Sequence, residues 1–409
     1  MTTSRRTFLG TTAALAAGVA LPETAIAMPP LAPSSLADPL GVRADFPIAA
    51  TRTYLNGAYE SAIPRQVVDA GRNFVERKAT NPPQVPEMLR RTGEVRAQFA
   101  RIIGAEADEV AFLFSTSEGE NVVANALDWK PGDNVVIDEL HYESEFVLYR
   151  TLEARRGIEM RVAKAREGAV TAREIEALVD RRTKLVSVAW VSHQNGFRHD
   201  MRPIADVAHA HGAIFYTDAI QAVGMFPVDV RAAGVDVLCC GGYKWLLGGF
   251  GPAPFYVRRG LLERLQPDRA GWMQVAQTLP DYRFELHKTA RQYEYSTLPF
   301  AEVYMLGAGM TYVEKVGIPR IEAHTVGLAK QLHDGLSRQG YRMFTPAGNA
   351  SSIVTYFFTG DPAAHRQAFE RATIDVTVRD ALKQVRVSPA LFNTTEEIDK
   401  LLEVTKGLR

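Results

Sequence analysis

The sequence predicts an α/β protein: a large domain with a mainly parallel central sheet flanked by helices, then a smaller α+β C-terminal domain. Three observations carry this. Between residues 110 and 244, short apolar runs that read as buried strands alternate with helical stretches, the pattern of a largely parallel sheet. Successive strand ends, near Thr116, Tyr142, Asp218 and Lys244, each present a polar group, and strand ends of such a sheet share one edge. Around Ala301 the pattern changes to a long helix over residues 301–316, followed by mixed helix and strand to the C-terminus.

In chain order, Ser4-Arg-Arg-Thr-Phe-Leu9 followed by a mild apolar run and Ala25-Ile-Ala27 has the order of a charged start, an apolar segment and an A-x-A cleavage signal. Residues 1–27 therefore read as a twin-arginine signal peptide, which implies the twin-arginine export machinery as a partner and a periplasmic or secreted location. Residues 28–50 read as a Pro-rich arm, 51–300 as the large domain and 301–409 as the small one. The net charge is zero and no basic stripe appears, which argues against a nucleic-acid partner. No later apolar stretch has the length of a membrane anchor. The two cysteines, Cys239 and Cys240, are adjacent and cannot staple distant segments. No metal-ligating cluster is expected.

The strand ends carry the chemistry. Val110–Phe114 is an apolar run, and Ser115-Thr-Ser-Glu-Gly-Glu-Asn121 then opens a helix. Hydroxyls and free backbone N–H groups at a helix start hold a phosphate, although simple N-capping explains the same residues. After the strand Asn134–Ile137 come His141 and Tyr142, either of which offers a ring to a flat ligand or to ordinary packing. The strand at residues 184–191 ends in Ser192-His-Gln-Asn-Gly196. Asp218 closes the strand Ala213–Asp218 and reads as a buried cap or as the partner of a cationic ring nitrogen. Lys244 follows the run Val237–Cys240 with glycines on both sides, so a flat ligand can approach the backbone closely. A partly desolvated lysine there has a lowered pKa and attacks carbonyls to form a Schiff base. A solvated lysine capping a strand is the commoner fate of a single lysine, and its upstream neighbours decide between the two.

A hydroxyl-rich helix start, an aromatic ring, an acid and a lysine are what pyridoxal 5′-phosphate (PLP) needs. Their order and spacing resemble the class V aminotransferase family of fold-type I PLP-dependent transferases, from Tyr54 to the C-terminus. The resemblance implies that Thr116 and Ser117 bind the phosphate, Tyr142 (or His141) stacks on the ring, and His193 and Gln221 lie near its phenolate oxygen. It implies that Asp218 pairs with the pyridine nitrogen, Tyr243 touches the phosphate and Lys244 carries the cofactor. Thr297, in Tyr293-Glu-Tyr-Ser-Thr297, would complete the phosphate site of a second subunit, which implies a homodimer. Arg386 resembles the clamp for a substrate α-carboxylate, with Arg379 beside it.

The interval Asp380–Val385 between these arginines is short and lacks cysteine, so the chain is not expected to be a cysteine desulfurase that works through a cysteine on a mobile loop. The expectation is a PLP enzyme acting at the Cα of a small amino-acid-like substrate, of transaminase type. An epimerase or a lyase is the alternative, and a non-catalytic ligand-binding protein of the same fold the reading from another class. Asp218 and Lys244 are its expected catalytic pair.

Overall fold

The computed structural model describes residues 38–408. The expected leader at residues 1–27 and the arm as far as residue 37 lie outside the described residues. A seven-stranded sheet is built from β1 (Val110–Leu113), β2 (Asn134–Asp138), β3 (Glu159–Ala163), β4 (Thr183–Ala189), β5 (Ile214–Asp218), β6 (Val237–Cys239) and β7 (Ala253–Val257), in the order β1-β7-β6-β5-β4-β2-β3. All neighbours pair in parallel except around β7, which runs antiparallel to both β1 and β6.

Side chains alternate between two apolar cores, which is why the strands read as near-continuous apolar runs. Phe112, Val136, Val186, Phe215 and Leu238 enter one core. Their chain neighbours Ala111, Val135, Leu185, Ile214 and Val237 enter the other. The helices α1 (Arg65–Thr80), α2 (Val85–Ile102), α3 (Thr116–Ala126), α4 (Glu143–Arg156), α5 (Ala172–Glu176), α6 (Met201–Ala210), α7 (Phe300–Val316) and α8 (Ile318–Arg338) flank the strands. α3 and α4 add Val122, Val123, Tyr149 and Leu152 to the second core. α2, α6 and α7 add Phe99, Ile204, Leu306 and Met310 to the first.

Towards the C-terminus, β8 (Arg342–Met343), β9 (Val354–Phe357), β10 (Thr377–Arg379) and β11 (Gln384–Val387) form an antiparallel sheet in the order β8-β9-β11-β10. A third core lies there, with Leu328, Leu332, Tyr356, Val385 and Leu401. The register sets Thr377 opposite Arg386. Arg379, two residues on, shares a strand face with Thr377, so both arginines project from one side of the sheet.

Over residues 43–50 the expected arm is docked. Phe46 is fully buried, its ring 4.5 Å from that of Phe392, and Arg43 pairs with Glu397 at 2.9 Å. One aromatic ring and one guanidinium supply anchors that a Pro- and Ala-rich composition does not advertise.

The loop that follows β6 and carries Lys244 is clamped from two sides. A Cβ on Gly309 of α7 would lie 2.2 Å from the Leu246 carbonyl oxygen, so only glycine lets the helix reach the loop. Gly224 (φ +95°) faces the Trp245 carbonyl oxygen at 2.4 Å in the same sense.

Candidate active site

The carboxyl ends of the parallel strands and one face of the C-terminal sheet enclose a cavity of about 410 Å³. Its lining includes Thr116, Ser117, Tyr142, His193, Asp218, Gln221, Tyr243, Lys244, Arg379 and Arg386. Ten of the eleven expected site residues thus meet in one hollow, built by residues up to 270 positions apart (Thr116 to Arg386). Thr297 is exposed and lies off this cavity.

At the wall nearest α3, Ser115 caps the helix by accepting from Glu118 N–H at 3.1 Å, which turns the first backbone N–H groups and the Thr116 and Ser117 hydroxyls to the cavity. Thr116 Oγ1 accepts from Gly241 N–H at 2.9 Å, tying this helix start to the lysine loop. A Cβ on Gly241 would sit 3.1 Å from that hydroxyl and 2.8 Å from Ile220, so the absence of a side chain keeps the cradle open. Glu118 and Asn121 do not line the cavity. Glu118 accepts from Phe114 N–H and from Arg269, and Asn121 donates to the Ser117 carbonyl, so both support the turn.

Lys244 and Asp218 are both buried. Burial lowers the Lys244 amine to about 8 against the attraction of Asp218, and burial raises the Asp218 carboxyl to about 6 against the Ile220 N–H and Lys244. The two shifts run towards neutrality because desolvation outweighs mutual attraction. Consistently, no ion pair joins them among the described residues.

Tyr142 presents its ring to the cavity, whereas His141 is fully buried behind it. His141 Nδ1 accepts from Tyr142 N–H at 2.8 Å and its Nε2 meets Ser187 Oγ at 3.1 Å. Burial holds that imidazole down to about 3. His193 stands edge-on to Tyr142 at 5.1 Å, and its buried Nε2 has no hydrogen-bond partner. Glu143 approaches that nitrogen to 3.4 Å without hydrogen-bond geometry. Burial, then Arg379, Arg386 and Lys244, keeps His193 neutral. Gln221 is engaged at both ends, donating to the Ala58 carbonyl at 2.9 Å and accepting from Trp245 Nε1 at 2.8 Å. Tyr243 is stacked on Phe250 at 4.4 Å.

Arg379 and Arg386 both donate to the His193 carbonyl, at 3.0 and 2.9 Å. Neither makes an ion pair among the described residues, and Arg386 Nε is buried without a partner. Burial and the neighbouring Arg379 lower Arg386 to about 9. One buried guanidinium, Arg386, and one half-buried beside it, Arg379, both unneutralised and facing a cavity, form a site for a carboxylate. Tyr59, Glu143 and Thr377 also line the hollow and were not singled out from sequence. Strand alternation from Arg379 was a signal that pointed to Thr377. Cys239 and Cys240 are buried off the cavity, with thiols raised chiefly by burial.

The lining fits PLP: hydroxyls and helix-start N–H groups for the phosphate, aromatic rings, an acid and an amine occupy one hollow of suitable size. The chain matches the family described as Aminotransferase class-V over residues 53–401. A probable cysteine desulfurase of Methanothermobacter thermautotrophicus is 31% identical over 391 residues, covering 90% of this chain and 97% of that protein. The apo structure of a cysteine desulfurase from Thermococcus onnurineus NA1 superposes with a TM-score of 0.84 at 24% identity, covering 91% of this chain and 98% of that one. A C-DES variant with glycine covalently linked to its PLP cofactor gives a TM-score of 0.83 at 18% identity, covering 90% of this chain and 99% of its own. The last two likenesses show a shared fold.

These relatives overturn one expectation. The short, cysteine-free interval between Arg379 and Arg386 led to the exclusion of a cysteine desulfurase, yet a relative aligned over nine-tenths of this chain carries that name. The exclusion leaned on a single connecting segment, and such segments vary in length among proteins that share everything around them. With a fold-type I core, a PLP-fitting cavity at its strand ends and a family match over residues 53–401, the chain belongs to the class V aminotransferase family, whose cofactor is PLP.

Proposed function

We propose that this chain is a PLP-dependent enzyme acting at the Cα of an α-amino acid. The observation that supports it best is the unneutralised guanidinium pair, Arg386 buried and Arg379 half-buried, that lines one cavity with Lys244. Arg386, with Arg379, would take the substrate carboxylate. Thr116, Ser117 and the start of α3 would take the cofactor phosphate. Asp218 would keep the ring nitrogen protonated, since an anion beside a cation favours the charged form. Bound PLP supplies the electron sink that makes a Cα–H bond acidic. Lys244, lowered towards neutral pH, is suited to take and return the Cα proton.

Return of that proton distinguishes the readings. Delivery away from Cα gives transamination, the reading we favour, and delivery to the opposite face of Cα gives epimerisation. Cleavage of a carbon–sulfur bond is the second reading, favoured by the name of the Methanothermobacter relative. A panel of L- and D-amino acids, cysteine and cystine included, separates them: keto acid, inverted amino acid or released sulfur appears as product. Spectral change without any product would leave a binding protein and sink the proposal.

We further propose a homodimer, supported by the exposed position of Thr297 outside the chain's own cavity, and export of the folded protein, supported by the Arg5-Arg6 leader sequence. Sedimentation of the purified protein tests the first. Cell fractionation with Arg5→Lys and Arg6→Lys together tests the second.

A further inference from the structure

Arg386 is held by the protein at two of its three nitrogens, and the third is left without a partner. Its Nη1 donates to the His193 carbonyl at 2.9 Å and its Nη2 to Thr377 Oγ1 at 3.3 Å. Its Nε is buried and unpartnered. The two acceptors come from different parts of the chain. His193 follows β4, and Thr377 opens β10, where the antiparallel register sets it opposite Arg386. A planar group anchored at two nitrogens cannot swing on its flexible stem, so its remaining N–H has a set direction.

Thr377 acts as an acceptor because its only hydroxyl proton is committed elsewhere. It donates to Asn56 Oδ1 at 2.7 Å, which turns a lone pair towards Arg386 Nη2. Asn56 is in turn placed by the strand that carries the arginine. It bridges to Ser388, two residues beyond Arg386, and its neighbour Gly57 donates to the Ser388 carbonyl at 3.0 Å. The segment that aims the hydroxyl and the strand that carries the guanidinium are therefore fixed to each other.

Arg379 is held differently. Its Nη2 shares the His193 carbonyl, and its Nη1 lies 3.2 Å from the Gln194 carbonyl and 3.5 Å from Gln384 Oε1. Thr377 is the only side chain that accepts from Arg386 among the described residues, and it lines the cavity with both arginines.

We propose that Thr377 is a positioning residue for the substrate: it fixes Arg386 so that the Nε edge is preset for the α-carboxylate. The cost of ordering a long side chain then falls on folding and not on each binding event. Thr377 acts through Arg386, so the proposal rests on the assignment of that arginine to the carboxylate.

The test uses PLP-loaded protein, the fastest-reacting member of the amino-acid panel and the α-amide of that same amino acid. Thr377→Val keeps the β-branch that suits a strand and removes only the acceptor. It should raise KM for the amino acid about tenfold, the effect of ordering one long side chain at each encounter. Turnover at saturation should stay within about twofold, the amide should react unchanged, and Thr377→Ser should restore the wild-type KM. In crystals of the apo proteins, the Arg386 guanidinium should hold one orientation in wild type and Thr377→Ser and more than one in Thr377→Val. An unchanged KM in Thr377→Val, an equal loss for the amide, no rescue by serine, or an unmoved guanidinium would each overturn the proposal while leaving Arg386 as the clamp. A wild-type enzyme that takes the amide as well as the amino acid would instead remove the clamp assignment, and this proposal with it.

Discussion

Two buried charge groups in this molecule are built on opposite principles. Arg43 and Glu397 pair at 2.9 Å, and their other atoms are engaged: the guanidinium also donates to the Phe392 and Ala49 carbonyls, and Glu397 Oε2 accepts from Asn393 and Thr394. In the cavity, Lys244, Asp218 and Arg386 are also buried and Arg379 is half-buried, but none makes an ion pair among the described residues. The chain therefore has the means to neutralise a buried charge. Where it leaves four unneutralised around one hollow, the missing counter-charges belong to what binds there, with a phosphate, a ring nitrogen and a substrate carboxylate as the fitting set.

The sharpest break in this comparison is Lys244→Ala. Loss of the amine should cut turnover by on the order of 10⁴-fold and end borohydride-trappable attachment of PLP, read by intact mass. Next comes a contrast of sign. Glu397→Gln strands a buried guanidinium and should lower the stability of the apo protein by about 3 kcal/mol in urea unfolding, with little change in turnover per folded molecule. Asp218→Asn should do the reverse. The folded carboxyl, raised to about 6, holds its proton more tightly than the unfolded one, so the stability it lends is present at low pH and lost as pH rises through about 6. At pH 8 the neutral amide escapes that penalty, raising apo stability by up to about 3 kcal/mol while turnover falls.

A smaller effect is expected at the carboxylate clamp. Arg386→Gln should lower kcat/KM for an amino acid about 100-fold and leave the slower reaction of an amine without a carboxylate unchanged. The finest is a titration: the rate of PLP capture by apo protein should rise with pH through about 8, as Lys244 loses its proton. Because the Arg386 charge helps to hold Lys244 down, Arg386→Gln should move that midpoint upward. An unmoved midpoint would detach the two residues.

Legibility in the sequence followed position. Asp218 and Lys244 stand where an apolar strand stops, and the sheet leaves their placement little choice. Arg386 was legible only through family resemblance, since its strand neighbours Thr377 and Arg379 belong to a sheet with few periodic residues. β7 was missed because an antiparallel return within a parallel sheet leaves no mark in the strand–helix alternation. The burial of Glu120 on α3 and Glu145 on α4 was unreadable for a further reason: acidic residues near helix starts are what a solvated helix also shows, and nothing local reveals that their faces are turned inward.

The contact between Gly309 and the Leu246 carbonyl has a consequence for the order of synthesis. The lysine loop receives its backing from a helix about 60 residues downstream, and the arginines follow about 70 residues after that. A nascent chain on the ribosome can thus complete strands β1 to β6 without a settled lysine. Vitamin capture must wait for α7 to emerge, and recognition of the amino acid for nearly the whole polypeptide.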